Sequence, residues 1–287
     1  MSTDTLRDDQ VRLPGGPRLA VRRAEGPGRP YLLVHGLSSN ARLWDGAARL
    51  LAAAGHEVVA VDQRGHGRSE QVADGYTTAQ CAADLAALCT ELGLTGERAP
   101  VVAGQSWGAN VVLTLAAEHG GVAALALVDG GWIWLGQRYP TFEQCWAELA
   151  PQVPAGLTLG ELRGRFRSWL PDFPAEGIDA QVANLVEGPD GYAVARLTRE
   201  HHREILRSLW ADDPRPLFAR VQVPTLIAVA VAAEDDAHEG VETAASLLPD
   251  STTSLYVGAH HDLHAQHPDR MAADLLALAA RADEVLR

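Results

Sequence analysis

Gly104-Gln105-Ser106-Trp107-Gly108 follows the apolar run 100–103 and opens the helical run 110–119. A serine with glycines two residues to either side marks a strand-to-helix turn. The turn is so tight that the serine backbone is strained and its hydroxyl stands clear at the helix N-terminus. The glycines let strand and helix approach, and the helix dipole favours negative charge developing on that oxygen. The five letters alone carry little information; the strand before them and the helix after them carry the reading.

On both sides of this turn, short β-branched runs alternate with alanine- and leucine-rich helical stretches, the pattern of a parallel sheet covered by helices on both faces. Strands are expected at 18–23, 31–34, 57–61, 101–103, 125–128, 225–231 and 254–257, and helices at 41–54, 78–92, 107–119, 241–248 and 269–286. There are no internal repeats. The alternation stops after Val128 and resumes at Val223, and the intervening stretch of about 90 residues is too long for a loop. It reads as an inserted subdomain over the sheet edge. Five of the seven tryptophans, Trp132, Trp134, Trp146, Trp169 and Trp210, fall inside it, with Trp44 and Trp107 outside, so an apolar, aromatic-lined lid is expected. Residues 192–210 carry helical periodicity. Arg196, Arg199, Arg203 and Arg207 fall on one face, a solvated stripe with Glu200 and Glu204 at pairing distance, and Val194, Leu197, His201, Ile205 and Leu209 fall on the opposite face.

The 287 residues suit one folded domain with an insertion. Twenty-four basic and 37 acidic side chains leave a net charge of −13, whose field repels nucleic acid and anionic membranes. All 24 basic residues are arginine. The absence of lysine excludes Schiff-base chemistry and a phosphate-loop lysine. The polar stretch 1–16 lacks the apolar core of a signal peptide, and no apolar run reaches the roughly 18 residues of a membrane span, so a cytoplasmic protein is expected. Cys81 and Cys89 lie eight apart on an expected helix, about 12 Å along its axis, beyond disulfide reach. Cys145 reads as a buried thiol.

Three further stretches join the serine turn: His35-Gly36-Leu37 at a strand end, Asp62-Gln63-Arg64-Gly65-His66-Gly67-Arg68-Ser69, and Gly258-Ala259-His260-His261-Asp262-Leu263 followed by His267-Pro268. Together they resemble the α/β-hydrolase family from about Val11 to the C-terminus. The resemblance implies a mostly parallel eight-stranded sheet flanked by helices, with a core of residues 1–131 and 216–287 and a helical cap, 132–215, inserted after the sixth strand. It implies backbone N–H groups of Leu37 and Trp107 as oxyanion donors. A serine needs a base, and imidazole titrates in the right range. The family pattern puts His261 in that place, with His260 as the alternative. The triad acid is expected after the seventh strand, where Asp236 fits the register and Asp235 is its neighbour; Asp129, after the sixth strand, is the other position some members use. The Asp62–Ser69 stretch reads as a structural turn.

The function expected is a serine hydrolase cleaving a carboxylic ester or lactone of an apolar or aromatic small molecule through an acyl-serine. His35, Trp44, Trp132, Trp134, Trp146, Trp169, His201 and Trp210 are its candidate substrate-lining residues. Epoxide hydrolases and dehalogenases of this family use a carboxylate at the nucleophile position, which Ser106 is not. Thioester, amide or carbon-carbon bond hydrolysis, acyl transfer to peroxide, a biosynthetic acyltransferase or lyase, and a non-catalytic ligand binder remain as alternatives. No cofactor is implied. The histidines 260, 261, 264 and 267 lack a recognised ligand spacing, and no metal is expected.

Overall fold

A computed structural model describes residues 6–152, 156–233 and 239–285. An antiparallel pair, β1 (Arg7–Arg12) and β2 (Arg18–Ala24), leads into β3 (Gly28–Val34), α1 (Asp45–Ala53) and β4 (His56–Val61). Next come α2 (Thr78–Glu91), β5 (Val101–Gln105), α3 (Trp107–Thr114) and β6 (Ala124–Val128). The insertion contributes α4 (Leu135–Arg138), α5 (Phe142–Leu149), α6 (Leu159–Trp169), α7 (Ala175–Val182), the hairpin β7 (Leu185–Glu187) and β8 (Ala193–Ala195), α8 (Arg199–Ala211) and α9 (Arg215–Phe218). The last elements are β9 (Thr225–Val231), α10 (Glu239–Leu247), β10 (Ser251–Val257), α11 (Leu263–Gln266) and α12 (Pro268–Val285).

Eight strands form one sheet in the order β1-β2-β4-β3-β5-β6-β9-β10; β2 runs antiparallel to both its neighbours and the remaining pairs are parallel. This is the α/β-hydrolase sheet. All seven strands expected from the pattern are present, and β1 is added to them. Its Arg-Asp-Asp-Gln start has no apolar alternation to reveal it, because an edge strand is stabilised and protected by charge. Asp8 pairs there with Arg22 at 2.5 Å and with Arg68.

Period-two alternation explains how the sheet is buried on both faces. Tyr31, Leu33, Val58, Ala60, Val101, Ala103, Ala124 and Ala126 point to the side covered by α1 and α12. Leu32, Val34, Val59, Val61, Val102, Leu125 and Leu127 point to the side covered by α2 and α3. The α5 and α8 part of the insertion docks on this second side, because Tyr139, Phe142, Cys145, Leu197, Ile205, Leu206 and Leu209 belong to the same apolar cluster, while Phe173, Ile178 and Ala180 pack with Leu43 and Ala265. Cys81, Cys89 and Cys145 are buried free thiols. Among the described residues, no helix is long and apolar enough to cross a membrane.

Two features of the insertion differ from the sequence pattern. It is not wholly helical, since β7 and β8 pair as a separate two-stranded sheet. The arginine stripe of α8 is exposed as expected, but it rests on aromatic rings rather than pairing with Glu200 and Glu204. Arg199 lies 4.8 Å from the centre of the Trp146 ring, Arg203 lies over both Trp146 and Phe142, and Arg207 lies 4.1 Å from Phe142. A guanidinium stacks on an aromatic face as readily as it pairs with a carboxylate. Glu204 is engaged elsewhere, accepting the Gly75 and Tyr76 N–H groups at 3.1 and 2.9 Å at the approach to α2.

Candidate active site

Ser106 sits between β5 and α3 with φ 54° and ψ −124°, a strained conformation for a residue with a Cβ. The turn closes so tightly that a Cβ on Gly104 would stand 2.2 Å from the Gly108 carbonyl oxygen. Ser106 N–H donates to the Val128 carbonyl at 2.8 Å, which ties the turn to the end of β6. Gly130 packs its backbone against that of Ser106. The residue between Val128 and Gly130 is Asp129, so β6 delivers a carboxylate beside the serine. Ser38, Ser106 and Asp129 are the non-glycine residues with positive φ among the described residues, and each follows the C-terminal end of a parallel strand.

His261 lies in the loop between β10 and α11, with its imidazole half exposed. Its Nδ1 is 2.5 Å from Asp129 Oδ2, while Asp129 Oδ1 accepts the Ala230 N–H at 3.0 Å. The carboxylate is thus held by β9 on one oxygen and holds the imidazole with the other, which puts the proton on Nδ1 and leaves Nε2 as the acceptor. Gln105, the residue before the serine, donates its side-chain amide to the His261 carbonyl at 3.2 Å. Burial opposes protonation of His261, but the Asp129 hydrogen bond, its charge and the charge of Asp262 outweigh it, and the pKa is raised. The Ser106 hydroxyl forms no hydrogen bond among the described residues; such contacts tighten in the substrate complex.

The oxyanion loop lies against the serine. A Cβ on Gly36 would come 3.0 Å from Ser106 Cβ and 2.5 Å from Gln105 Oε1, so only glycine lets Leu37 follow this closely. His35 is fully buried, its Nδ1 2.7 Å from the Gly36 carbonyl and its Nε2 accepting Gln63 N–H at 3.0 Å, so both ring nitrogens shape the loop. Asp62 accepts the Ala41 and Arg68 N–H groups, and Arg64 makes a buried two-pronged bridge to Asp84, so this stretch is a structural turn.

A family model for alpha/beta hydrolases matches residues 31–274. The chain belongs to the α/β-hydrolase family. It is similar to a non-heme haloperoxidase of Rhodococcus erythropolis, 29% identical over 260 residues that cover 88% of this chain and 92% of the relative. Its fold is that of E-2-(acetamidomethylene)succinate hydrolase, with TM-score 0.78 and 22% identity over 97% of this chain and 99% of that one. An esterase of Thermogutta terrifontis is similar too, with TM-score 0.71 and 23% identity over 96% of this chain and 99% of that one.

The other candidate residues of this α/β hydrolase are dispersed. Asp235 and Asp236 lie outside the described residues. His260 turns away from Asp129, its ring edge-on to Phe173 at 5.4 Å and its Nδ1 accepting Asp262 N–H. Trp44 is buried against His264, with centroids 4.3 Å apart. Trp146 and Trp210 build the packing of α5 against α8, and Trp210 donates to the Tyr139 carbonyl. Trp134 lies under Arg215, Trp169 is 58% exposed beside Phe166, and Trp132 packs against α10 at Gly240. His201 is buried and stacked on Tyr76 at 4.0 Å.

Ser38 and His202, which had no sequence signal, stand close to the oxyanion loop together with His66 of the Asp62–Ser69 turn. Ser38 Oγ is 2.9 Å from His202 Nδ1, and Ser38 N–H donates to His66 Nε2 at 3.3 Å. Burial pushes the His202 pKa down to about 4 and holds that of His66 well below the usual range, so both rings are neutral near pH 7.

Proposed function

We propose that this α/β hydrolase is a serine hydrolase that cleaves a carboxylic ester or lactone, with Ser106 as nucleophile, His261 as base and Asp129 as the acid that orients it. The observation that carries the reading is the 2.5 Å contact of His261 Nδ1 with Asp129 Oδ2, set beside a strained serine at the end of β5. His261 Nε2 takes the Ser106 proton as the oxygen attacks the ester carbon. The backbone N–H groups of Leu37 and Trp107 receive the negative oxygen. The imidazolium then returns its proton to the leaving alcohol, and a water molecule, deprotonated by the same ring, releases the acid from the acyl-serine. Leu37, Trp132 and Ile133, half-buried and within a few residues of backbone that touches Ser106, favour an apolar acyl or alcohol part.

The haloperoxidase relative favours a second output from the same acyl-serine, in which hydrogen peroxide replaces water and a percarboxylic acid leaves. Labelling with a fluorophosphonate, together with turnover of a p-nitrophenyl ester, tests the main reading. One equivalent of label on Ser106, and turnover lost in Ser106→Ala, is the expected result. A folded wild type that binds esters without labelling or turnover sinks it in favour of a ligand-binding protein. A panel of esters, lactones and thioesters, run with water or peroxide as acceptor, then selects the bond and the acceptor.

A further inference from the structure

We propose that α8 braces the two oxyanion donors of the hydrolase proposed above, with His202 and Ser208 as the positioning residues through which it acts. Ser38 follows Leu37 directly and has φ 56°, a conformation a non-glycine residue keeps only where its surroundings hold it. Two histidines hold it from opposite sides. From the core, His66 Nε2 accepts Ser38 N–H, while its Nδ1 lies 3.0 Å from the Arg64 carbonyl and carries the ring proton. From the insertion, His202 Nδ1 meets Ser38 Oγ at 2.9 Å. A hydroxyl can donate or accept, so the Ser38–His202 contact is a hydrogen bond whichever ring nitrogen carries the proton.

Six residues further on, about 9 Å along its axis, the same helix is linked through Thr78 to the side chain of Trp107, whose backbone carries the second donor. Ser208 Oγ accepts Thr78 N–H at 3.0 Å and is 3.1 Å from Thr78 Oγ1, which in turn accepts the Trp107 indole N–H at 3.2 Å. Between these ends, Glu204 binds the backbone N–H groups of Gly75 and Tyr76. A helix fastened to the core at its middle, bonded to Ser38 beside the first donor and linked through Thr78 to the indole of the second, helps set how the Leu37 and Trp107 N–H groups face one another. Beside Ser38 lies a void of about 20 Å³ lined in part by His66, Arg196 and Leu197, so the loop has room to shift once His202 is removed. Donors that must sit within tenths of an ångström of the oxyanion lose effect steeply with such a shift.

The test uses the full chain, p-nitrophenyl butyrate as substrate and phenylboronic acid as the tetrahedral mimic. His202→Ala and Ser38→Ala are each expected to lower kcat by about 10- to 100-fold with KM nearly unchanged, and to weaken boronate inhibition by a similar factor. The double variant loses no more than the worse single, because both changes remove one contact. His202→Asn recovers most of kcat, its amide oxygen standing where Nδ1 stood. A His202→Ala protein with wild-type kcat, or one whose whole loss is in KM, overturns the brace and leaves the hydrolase reading intact. A wild type that neither labels with fluorophosphonate nor turns over the ester removes that reading and the brace with it. Should His202→Ala fail to fold, Ser38→Ala decides by the same outcomes from the other side of the bond.

Discussion

His261 and His202 meet opposite environments. His261 is half exposed, faces a carboxylate and has a raised pKa. His202 is buried, faces a hydroxyl, and has its pKa pushed down to about 4 by that burial. Charge beside an imidazole makes it able to gain and lose a proton near neutral pH, whereas burial among neutral dipoles keeps it a fixed acceptor. One ring suits a base and the other a strut.

The largest effect expected is at the nucleophile. Ser106→Ala should lower p-nitrophenyl ester kcat by a factor on the order of 10⁴ to 10⁶, since the triad acts as a unit. Asp129→Asn should cost on the order of 10³ to 10⁴ in kcat because the imidazole loses both its tautomer and its stabilising charge. Asp236→Asn and Asp235→Asn, measured in parallel, should stay near wild type; a large loss in either moves the acid away from Asp129.

A smaller effect concerns pH. The neutral form of His261 is the active one, so kcat/KM should rise with pH through a midpoint above the ordinary histidine value of 6.5. Asp129→Asn should move that midpoint down. A midpoint below 6.5 in the wild type would contradict the pairing. Stability runs in the opposite sense to activity for His261: the part it contributes is present below pH 6.5 and is lost as pH rises through the raised folded value.

The buried rings behave in the reverse sense, and theirs is the smallest effect. His202 and His264 have folded pKa values of about 4, so the unfolded chain takes up their protons first. Stability should fall as pH drops from about 6.5 toward 4 and level off below. His264 has both ring nitrogens buried without hydrogen bonds among the described residues. His264→Phe should therefore flatten the decline of Tm with acid, and a decline as steep as wild type would mean that this ring does not contribute.

Much of the architecture was legible in the pattern of apolar residues. The central strands are β-branched and buried on both faces, so seven of them could be placed, whereas β1 is charged and could not. The break after Val128 announced the insertion, because a parallel sheet cannot leave that many residues unpaired without a second packing unit. Composition was less informative about the indoles. The tryptophans suggested either an aromatic-lined substrate site or a core for the insertion itself; Trp146 and Trp210 pack α5 against α8, Trp44 lies in the core and Trp169 on the surface. Hydrophobicity says that a ring is buried and not against what.

Ser106 and its turn were readable from five neighbouring letters, because backbone strain, glycine spacing and a following helix are local properties. Contacts across the chain were not. Asp129 meets His261 over 132 positions and Ser38 meets His202 over 164, and neither pair has a spacing or motif of its own. They come together because the sheet order puts the ends of β3, β5 and β6 side by side and because α8 is bonded to Ser38 and Thr78. Residue types named the chemistry, and only the packing of distant strand ends selected the partners, since a hydrogen bond depends on separation in space and a sequence records separation along the chain.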